Sequence, residues 1–169
     1  MGQLLNKNLI IVGIGRVGLP LALVLANEGF NVVGVDVSTK LLETISKGHL
    51  PFTEEGAEPL LKKLYNNGFV VRHENELAKI LSQSSAIILT LGTPMSDNFS
   101  PDVTQVTGFL EKFSSHFKKK QLLVLRSTVT PGTTEYIDRY LLEKYNWKVG
   151  KDLYLAYCPE RIAEGKAVE

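Results

Sequence analysis

The chain has 169 residues, a net charge of +1, 44% hydrophobic and 22% charged residues, and one cysteine, Cys158. That length suffices for one domain with a full core and leaves no room for a second large one. The near-neutral charge excludes the electrostatic footprint of a nucleic-acid binder, the single cysteine excludes an internal disulfide and a cysteine-rich metal site, and no apolar run reaches the roughly 18–20 residues of a membrane span.

In chain order, the segment after Met1 lacks the apolar core of a signal peptide, so a cytoplasmic protein without membrane or nucleic-acid partners is expected. Leu9 to Val12 is short and β-branched and reads as a buried strand. It runs into Gly13-Ile14-Gly15-Arg16-Val17-Gly18, then a helix over Leu19 to Ala26 closed by Gly29, then a strand over Asn31 to Val35 with Asp36 at its tip. Ser38 is a candidate N-cap for a helix bearing Leu41, Leu42 and Ile45, closed by Gly48. Gly56 to Asn66 reads as a helix, Phe69 to Val71 as a strand, Glu76 to Leu81 as a small helix and Ala86 to Leu91 as a central parallel strand. After the polar loop Met95 to Asp102, Val103, Val106, Phe109, Leu110 and Phe113 have helical spacing. Lys118-Lys119-Lys120 reads as the solvated end of that helix, near Phe117. Gln121 to Leu125 and Lys151 to Tyr157 are the last strands, with the helix Thr134 to Tyr145 between them. Strands alternating with helices predict an α/β fold, a doubly wound, mostly parallel sheet of about six strands, Rossmann-like.

Strand, glycine turn, helix, strand and terminal acid, in that order, form the context in which a GxGxxG signals a dinucleotide. Gly13 allows the tight turn, Gly15 lets backbone amides approach a pyrophosphate, and Gly18 lets the helix pack closely. The phosphates belong at the helix N-terminus. Asp36 stands 18 positions beyond Gly18, close to the roughly 20-residue spacing of an acid that accepts from the adenosine ribose. A carboxylate there repels a 2′-phosphate, which favours NAD over NADP. Ligands in such sheets bind outside the C-terminal tips of the strands. Thr93, in Gly92-Thr93-Pro94, either bonds cofactor or closes its turn. The hydroxyls of 126–133 either cap a helix or contact ligand. Glu160, Arg161 and Glu164 follow the last strand, as ligand contacts or as an acidic helix start. His49, His73 and His116 have no ligand spacing and read as surface or loop residues.

Together GIGRVGLP, VGVD, LPFTEEG, LGTP, RSTVTPGTTE and YCPERIAEGKA resemble the N-terminal domain of the UDP-sugar 6-dehydrogenases, UDP-glucose dehydrogenase and UDP-N-acetylmannosamine dehydrogenase, from about Leu9 to Glu169. The arginine after the proline-glutamate pair resembles the UDP-N-acetylhexosamine branch. The resemblance implies an NAD-dependent, four-electron oxidation of a sugar C6 alcohol to a carboxylate, through a cysteine-bound thioester. It implies that Gly13, Ile14, Gly15, Arg16, Val17, Gly18, Asp36, Thr93 and Thr128 touch NAD, with Lys40 beside the adenosine ribose, one position off the commonest register, and Glu164 near the nicotinamide. It makes Glu160 the acid/base residue and places Arg161 and Ile162 in the pocket of the UDP-sugar.

The family's central helix, nucleophilic cysteine and UDP-binding C-terminal domain are expected to be absent from these 169 residues. Cys158 reads instead as a small structural residue near the core. NAD binding without turnover follows as an expectation. Because the family's homodimers are built largely on the central helix, a monomer is expected. Two other readings fit the opening turn: a stand-alone NAD-binding or redox-sensing module, and the first domain of a hydroxyacid or hydroxyacyl dehydrogenase. Neither explains RSTVTPGTTE followed by PERIAEG.

Overall fold

Runs such as Leu9–Val12 and Ala86–Leu89 are apolar at every position, a pattern that suits a strand covered on both faces. In the computed structural model, which describes residues 7–92, 103–161, 165 and 168, they occupy the middle of the sheet. Six strands, β1 (Asn8–Val12), β2 (Asn31–Asp36), β3 (Phe69–His73), β4 (Ala86–Leu89), β5 (Leu122–Leu125) and β6 (Tyr154–Tyr157), pair in the order β3-β2-β1-β4-β5-β6. Every pairing is parallel. The helices are α1 (Gly18–Asn27), α2 (Thr39–Ser46), α3 (Ala57–Leu64), α4 (Leu77–Ile80), α5 (Thr104–Phe113) and α6 (Thr133–Tyr145).

Alternation along β1 divides the core in two. Leu9 and Ile11 join Leu19, Leu23, Ile45 and Leu61 from α1, α2 and α3, whereas Ile10 and Val12 join Leu77, Phe109, Leu110, Ile137 and Leu141 from α4, α5 and α6. Each such aliphatic side chain contributes roughly 1.5–3 kcal/mol by leaving water, so both layers are needed to hold the sheet. Ser38 caps α2 as expected, its hydroxyl accepting from the Leu41 amide at 3.3 Å.

Several boundaries differ from the sequence pattern for local reasons. The helix expected over Glu76 to Leu81 is one α-turn between two 3-10 turns. It stops because the Leu81 carbonyl is taken by Ser84 Oγ (2.9 Å) and by Gln121 Nε2 (2.7 Å). The helix expected to reach Asn66 ends at Leu64, where Tyr65 becomes extended and bridges Phe69. β6 starts at Tyr154, since Lys148 to Asp152 closes a turn in which Asp152 Oδ2 accepts from the Lys148 amide at 3.1 Å. The lysine run follows a helical end near Phe117 and is exposed, as expected, but that end is a 3-10 turn over Ser114–His116 beyond α5, and the run leads into β5 through a turn clasped by Gln121, whose Oε1 accepts from the Lys118 amide at 2.5 Å. Among the described residues, no helix is long and apolar enough to cross a membrane.

Candidate functional site

An all-parallel sheet gathers its strand tips at one end. There stand Gly13 after β1, Asp36 on β2, Thr90 to Gly92 after β4, Arg126 to Thr128 after β5, and Cys158 to Arg161 after β6. The strand order reverses between β1 and β4, which opens a crevice above their tips.

The turn after β1 is tight because three backbones converge on it. Gly13 has φ +91°, and a Cβ there would lie 2.8 Å from the Thr90 carbonyl oxygen. A Cβ on Gly18 would collide with the Gly13 carbonyl oxygen and come within 2.7 Å of Thr90 Oγ1. Gly18 thus lets α1 start against the turn itself rather than simply against the sheet. Gly15 is different. A Cβ at Gly15 would meet nothing within 4 Å among the described residues, so its missing side chain leaves open space beside the start of α1. Val17 precedes α1 in helical conformation and supplies no side-chain cap; the Leu19 amide donates to the Gly15 carbonyl (3.0 Å), the Leu21 amide to the Val17 carbonyl (3.4 Å) and Pro20 has no N–H, so in this first turn the Gly18 amide is the one left for an anion. Ile14 points inward, fully buried, into room left by Gly34 of β2. Arg16 is exposed and lies over the Phe52 ring, 5.5 Å from its centroid.

Asp36 ties the tip of β2 to this turn. Its Oδ2 accepts from the Ile14 amide at 3.0 Å and its Oδ1 from the Ser38 amide at 2.9 Å. A carboxylate has about four acceptor sites, so capacity remains for a hydroxyl. Lys40 lies exposed in the first turn of α2.

Across the crevice, Arg126 spans from the tip of β5 to that of β6. Its Nη1 donates to the carbonyl oxygens of Pro159 (2.8 Å) and Cys158 (3.2 Å) and lies 3.3 Å from Cys158 Sγ, while Nη2 donates to Glu160 Oε2 at 2.8 Å. The pair is largely buried, with side chains 11% and 19% exposed. Glu160 Oε1 accepts from the Arg161 amide at 2.8 Å. Ser127 donates to the Leu91 carbonyl, joining the tips of β4 and β5, and Thr128 is exposed beside it. Arg161 is exposed too. Thr93, Ile162 and Glu164 lie outside the described residues.

Cys158 is not the core residue expected. It is a free, exposed thiol, because β6 is the edge of the sheet and its residues are at most half-buried. Of the histidines, His73 ends β3, with Nε2 3.1 Å from the Val37 carbonyl oxygen. Among the described residues no group of three or more His, Cys, Asp or Glu gathers as a metal site.

Three residues went unassigned in the sequence. Thr90 clamps the glycine turn, its hydroxyl lying against the carbonyl oxygens of Val12 (2.9 Å) and Gly13. Its one sequence signal is a polar residue near the end of the apolar run AIILTL. Arg126 was visible only as a charge after an apolar strand. Glu54, 7% exposed, accepts from the Gly165 amide at 3.0 Å, and nothing in LPFTEEG marks which acid is buried.

The family model described as UDP-glucose/GDP-mannose dehydrogenase family, NAD binding domain, matches residues 7–169. A UDP-N-acetyl-D-mannosamine dehydrogenase of Methanococcus aeolicus is 32% identical over 98% of this chain and 36% of its own length. The one from Campylobacter jejuni is 28% identical over 94% of this chain and 40% of its own. A solved GDP-mannose dehydrogenase from Pseudomonas aeruginosa superposes with a TM-score of 0.83 at 27% identity, over 95% of this chain and 37% of that one. The chain therefore spans 36–40% of the length of these relatives. With its six parallel strands and glycine turn, it belongs to the UDP-glucose/GDP-mannose dehydrogenase family, and these residues form the family's NAD-binding domain.

Proposed function

We propose that this chain serves as the cofactor half of a UDP-sugar 6-dehydrogenase that oxidises a UDP-hexose, a UDP-N-acetylhexosamine such as UDP-N-acetylmannosamine, to the uronate with two NAD. The observation that carries this reading is the presence of two features at the same end of one parallel sheet: open space at Gly15 beside the Gly18 amide at the start of α1, and the Arg126-held carboxylate of Glu160 beyond the tip of β6. The names of the relatives, UDP-N-acetyl-D-mannosamine dehydrogenases, support the sugar class.

The residues fit the cofactor on physical grounds. Gly13 to Gly18 would hold the pyrophosphate, where the room at Gly15, the Gly18 amide and the positive end of the α1 dipole suit an anion. Asp36 would accept from the adenosine ribose with its remaining lone pairs, and Lys40 would flank it. Thr93 and Thr128 would touch NAD and Glu164 would lie near its nicotinamide end, with Arg161 and Ile162 on the sugar side. NAD supplies the hydride acceptor. Glu160 would take the proton of the C6 hydroxyl, and Arg126 keeps its carboxylate in one orientation while it does so.

These 169 residues by themselves bind NAD without oxidising a UDP-sugar. The thioester route needs the nucleophilic cysteine that the resemblance does not assign to these residues: Cys158, their only cysteine, directly precedes the Pro159-Glu160 pair at the tip of the edge strand and does not match the surroundings of that nucleophile. The test is calorimetric titration of the chain with NAD, NADP, UDP-sugars and GDP-mannose, with NADH formation followed in parallel. NAD binding tighter than NADP, with no NADH produced, is expected. Absence of nucleotide binding would remove the reading of Gly13 to Asp36.

A further inference from the structure

Among the described residues four polar or charged side chains are buried, and Glu54 is the one that carries a charge. It lies in the connection between α2 and α3. Burying a carboxylate is unfavourable unless strong donors replace the lost water. Here a donor comes from far along the chain: the Gly165 amide bonds Glu54 Oε2 at 3.0 Å, and the Gly165 carbonyl accepts from the Glu55 amide at 2.9 Å. Val168 strengthens the same junction by packing on the α1–α3 side of the core, with its Cγ2 3.4 Å from where a Cβ on Gly56 would sit. The other side of this connection meets the glycine turn, since Phe52 carries the Arg16 guanidinium on its ring.

One short connection thus touches two partners: Arg16, within the Gly13–Gly18 turn, and the pair Gly165 and Val168. We propose that Glu54 is a positioning residue that fixes the chain beyond β6 against the connection bearing Phe52, so that nucleotide binding at the glycine turn and the Gly165 clasp strengthen each other. The inference rests on the reading that the dinucleotide lies at Gly13 to Gly18. Coupling of two binding events is reciprocal, so whatever the clasp adds to NAD affinity, NAD must add to the clasp. Nothing in the fold of the sheet requires this link, since Glu54 and Gly165 both lie outside the six strands.

The test uses the 169-residue chain, with NAD affinity read by calorimetry and clasp strength read by amide hydrogen exchange at Glu55 and Gly165. In the wild type, saturating NAD should slow exchange at both amides. Glu54→Ala should weaken NAD by about tenfold, within the roughly 5–150-fold range of such couplings. Glu54→Gln, which keeps an acceptor oxygen in place, should recover much of that loss. Phe52→Ala should leave the Glu55 and Gly165 amides protected without NAD but remove the extra protection on NAD binding. If Glu54→Ala binds NAD as tightly as wild type while only its melting temperature falls, Glu54 is a structural clasp and the proposal is overturned. Wild-type exchange indifferent to bound NAD overturns it as well, without recourse to any variant. Failure of the wild type to bind NAD at all is distinguishable from both, and it removes the nucleotide reading together with the coupling.

Discussion

Arg126 Nη2 and Glu160 Oε2 meet at 2.8 Å beyond the tips of β5 and β6, so a carboxylate that follows the edge strand is oriented by a cation that follows its inner neighbour. Removing one partner of a shielded pair leaves the other without its counter-charge, which costs about 3–5 kcal/mol at a fully buried site and less here, where solvent still reaches both groups. Arg126→Ala should therefore lower stability by about 1–3 kcal/mol. Arg126→Lys should recover less than half of that, because a point charge cannot span Cys158, Pro159 and Glu160 at once. Urea midpoints check this, and equal midpoints for wild type and Arg126→Ala would discard it.

The glycine turn separates folding from binding. Gly15→Ala places its methyl in open space and should change stability by no more than about 0.5 kcal/mol. The same methyl should weaken NAD by about tenfold, roughly 1.4 kcal/mol, by filling the room proposed for the pyrophosphate. Gly18→Ala meets backbone and should cost about 1–3 kcal/mol or more before any ligand is added. Melting curves with and without NAD read both effects. A Gly15→Ala variant with unaltered affinity would move the pyrophosphate elsewhere.

Asp36 has two tasks, and different substitutions separate them. Asp36→Ala strips acceptors from the part-buried Ile14 amide and from Ser38, and should cost about 1–3 kcal/mol of stability. Asp36→Asn keeps one acceptor oxygen and loses the charge, so the preference for NAD over NADP should narrow with a smaller loss of stability. Dissociation constants for both nucleotides measure this. An unchanged ratio in Asp36→Asn would detach Asp36 from the ribose.

A surface cluster between α5 and α6 predicts the pH limits of one helix contact. Glu111 is held below its ordinary 4.5 first by the hydrogen bond from Lys144, then by one from Tyr140. The same Glu111 contact is the main reason Lys144 is held above its ordinary 10.5. Tyr140 is raised above 10.0, chiefly by burial. A lowered carboxyl adds stability above its unfolded value and loses it as pH falls through the folded one. A raised ammonium or phenol adds stability below its unfolded value and loses it as pH rises through the folded one. The contact should therefore act between about pH 4.5 and pH 10 and fade on either side. Glu111→Gln should flatten the acid limb of the urea midpoint against pH and lower the midpoint at pH 7 by the matching amount, both small because exposed pairs contribute little, with the two proteins converging at acid pH. Parallel acid limbs for the two proteins would contradict it.

Periodicity and punctuation made most of the frame legible. Gly13, Asp36 and the apolar runs declare themselves within a few residues, and the strands they implied formed a single parallel sheet. What escaped was long-range pairing. Thr90 acts on Gly13, Arg126 on Glu160 and Glu54 on Gly165, across 77, 34 and 111 positions, and no local pattern announces such partners. Cys158 was misplaced for a related reason: an apolar-looking strand can be an edge, and strand order is a property of the whole sheet. The exposed lysine run after Phe117 is legible, but the turn beyond it is not, because Gln121 builds it as a buried amide bonded to Leu81, Ser84 and Lys118.

The β1–β4 seam also governs how the chain comes to its shape. Leu9 pairs with Ala86, so the β1-β2-β3 half can assemble as soon as Phe69–His73 exists, but β1 keeps an unsatisfied edge until β4 has been made. Pairings of this reach are slow to close, and an apolar edge waiting for its partner is prone to wrong contacts. The crevice proposed for NAD lies over that same seam. The cofactor can therefore meet its site only late in folding, and any NAD bound then acts as a latch on the step that joins the two halves.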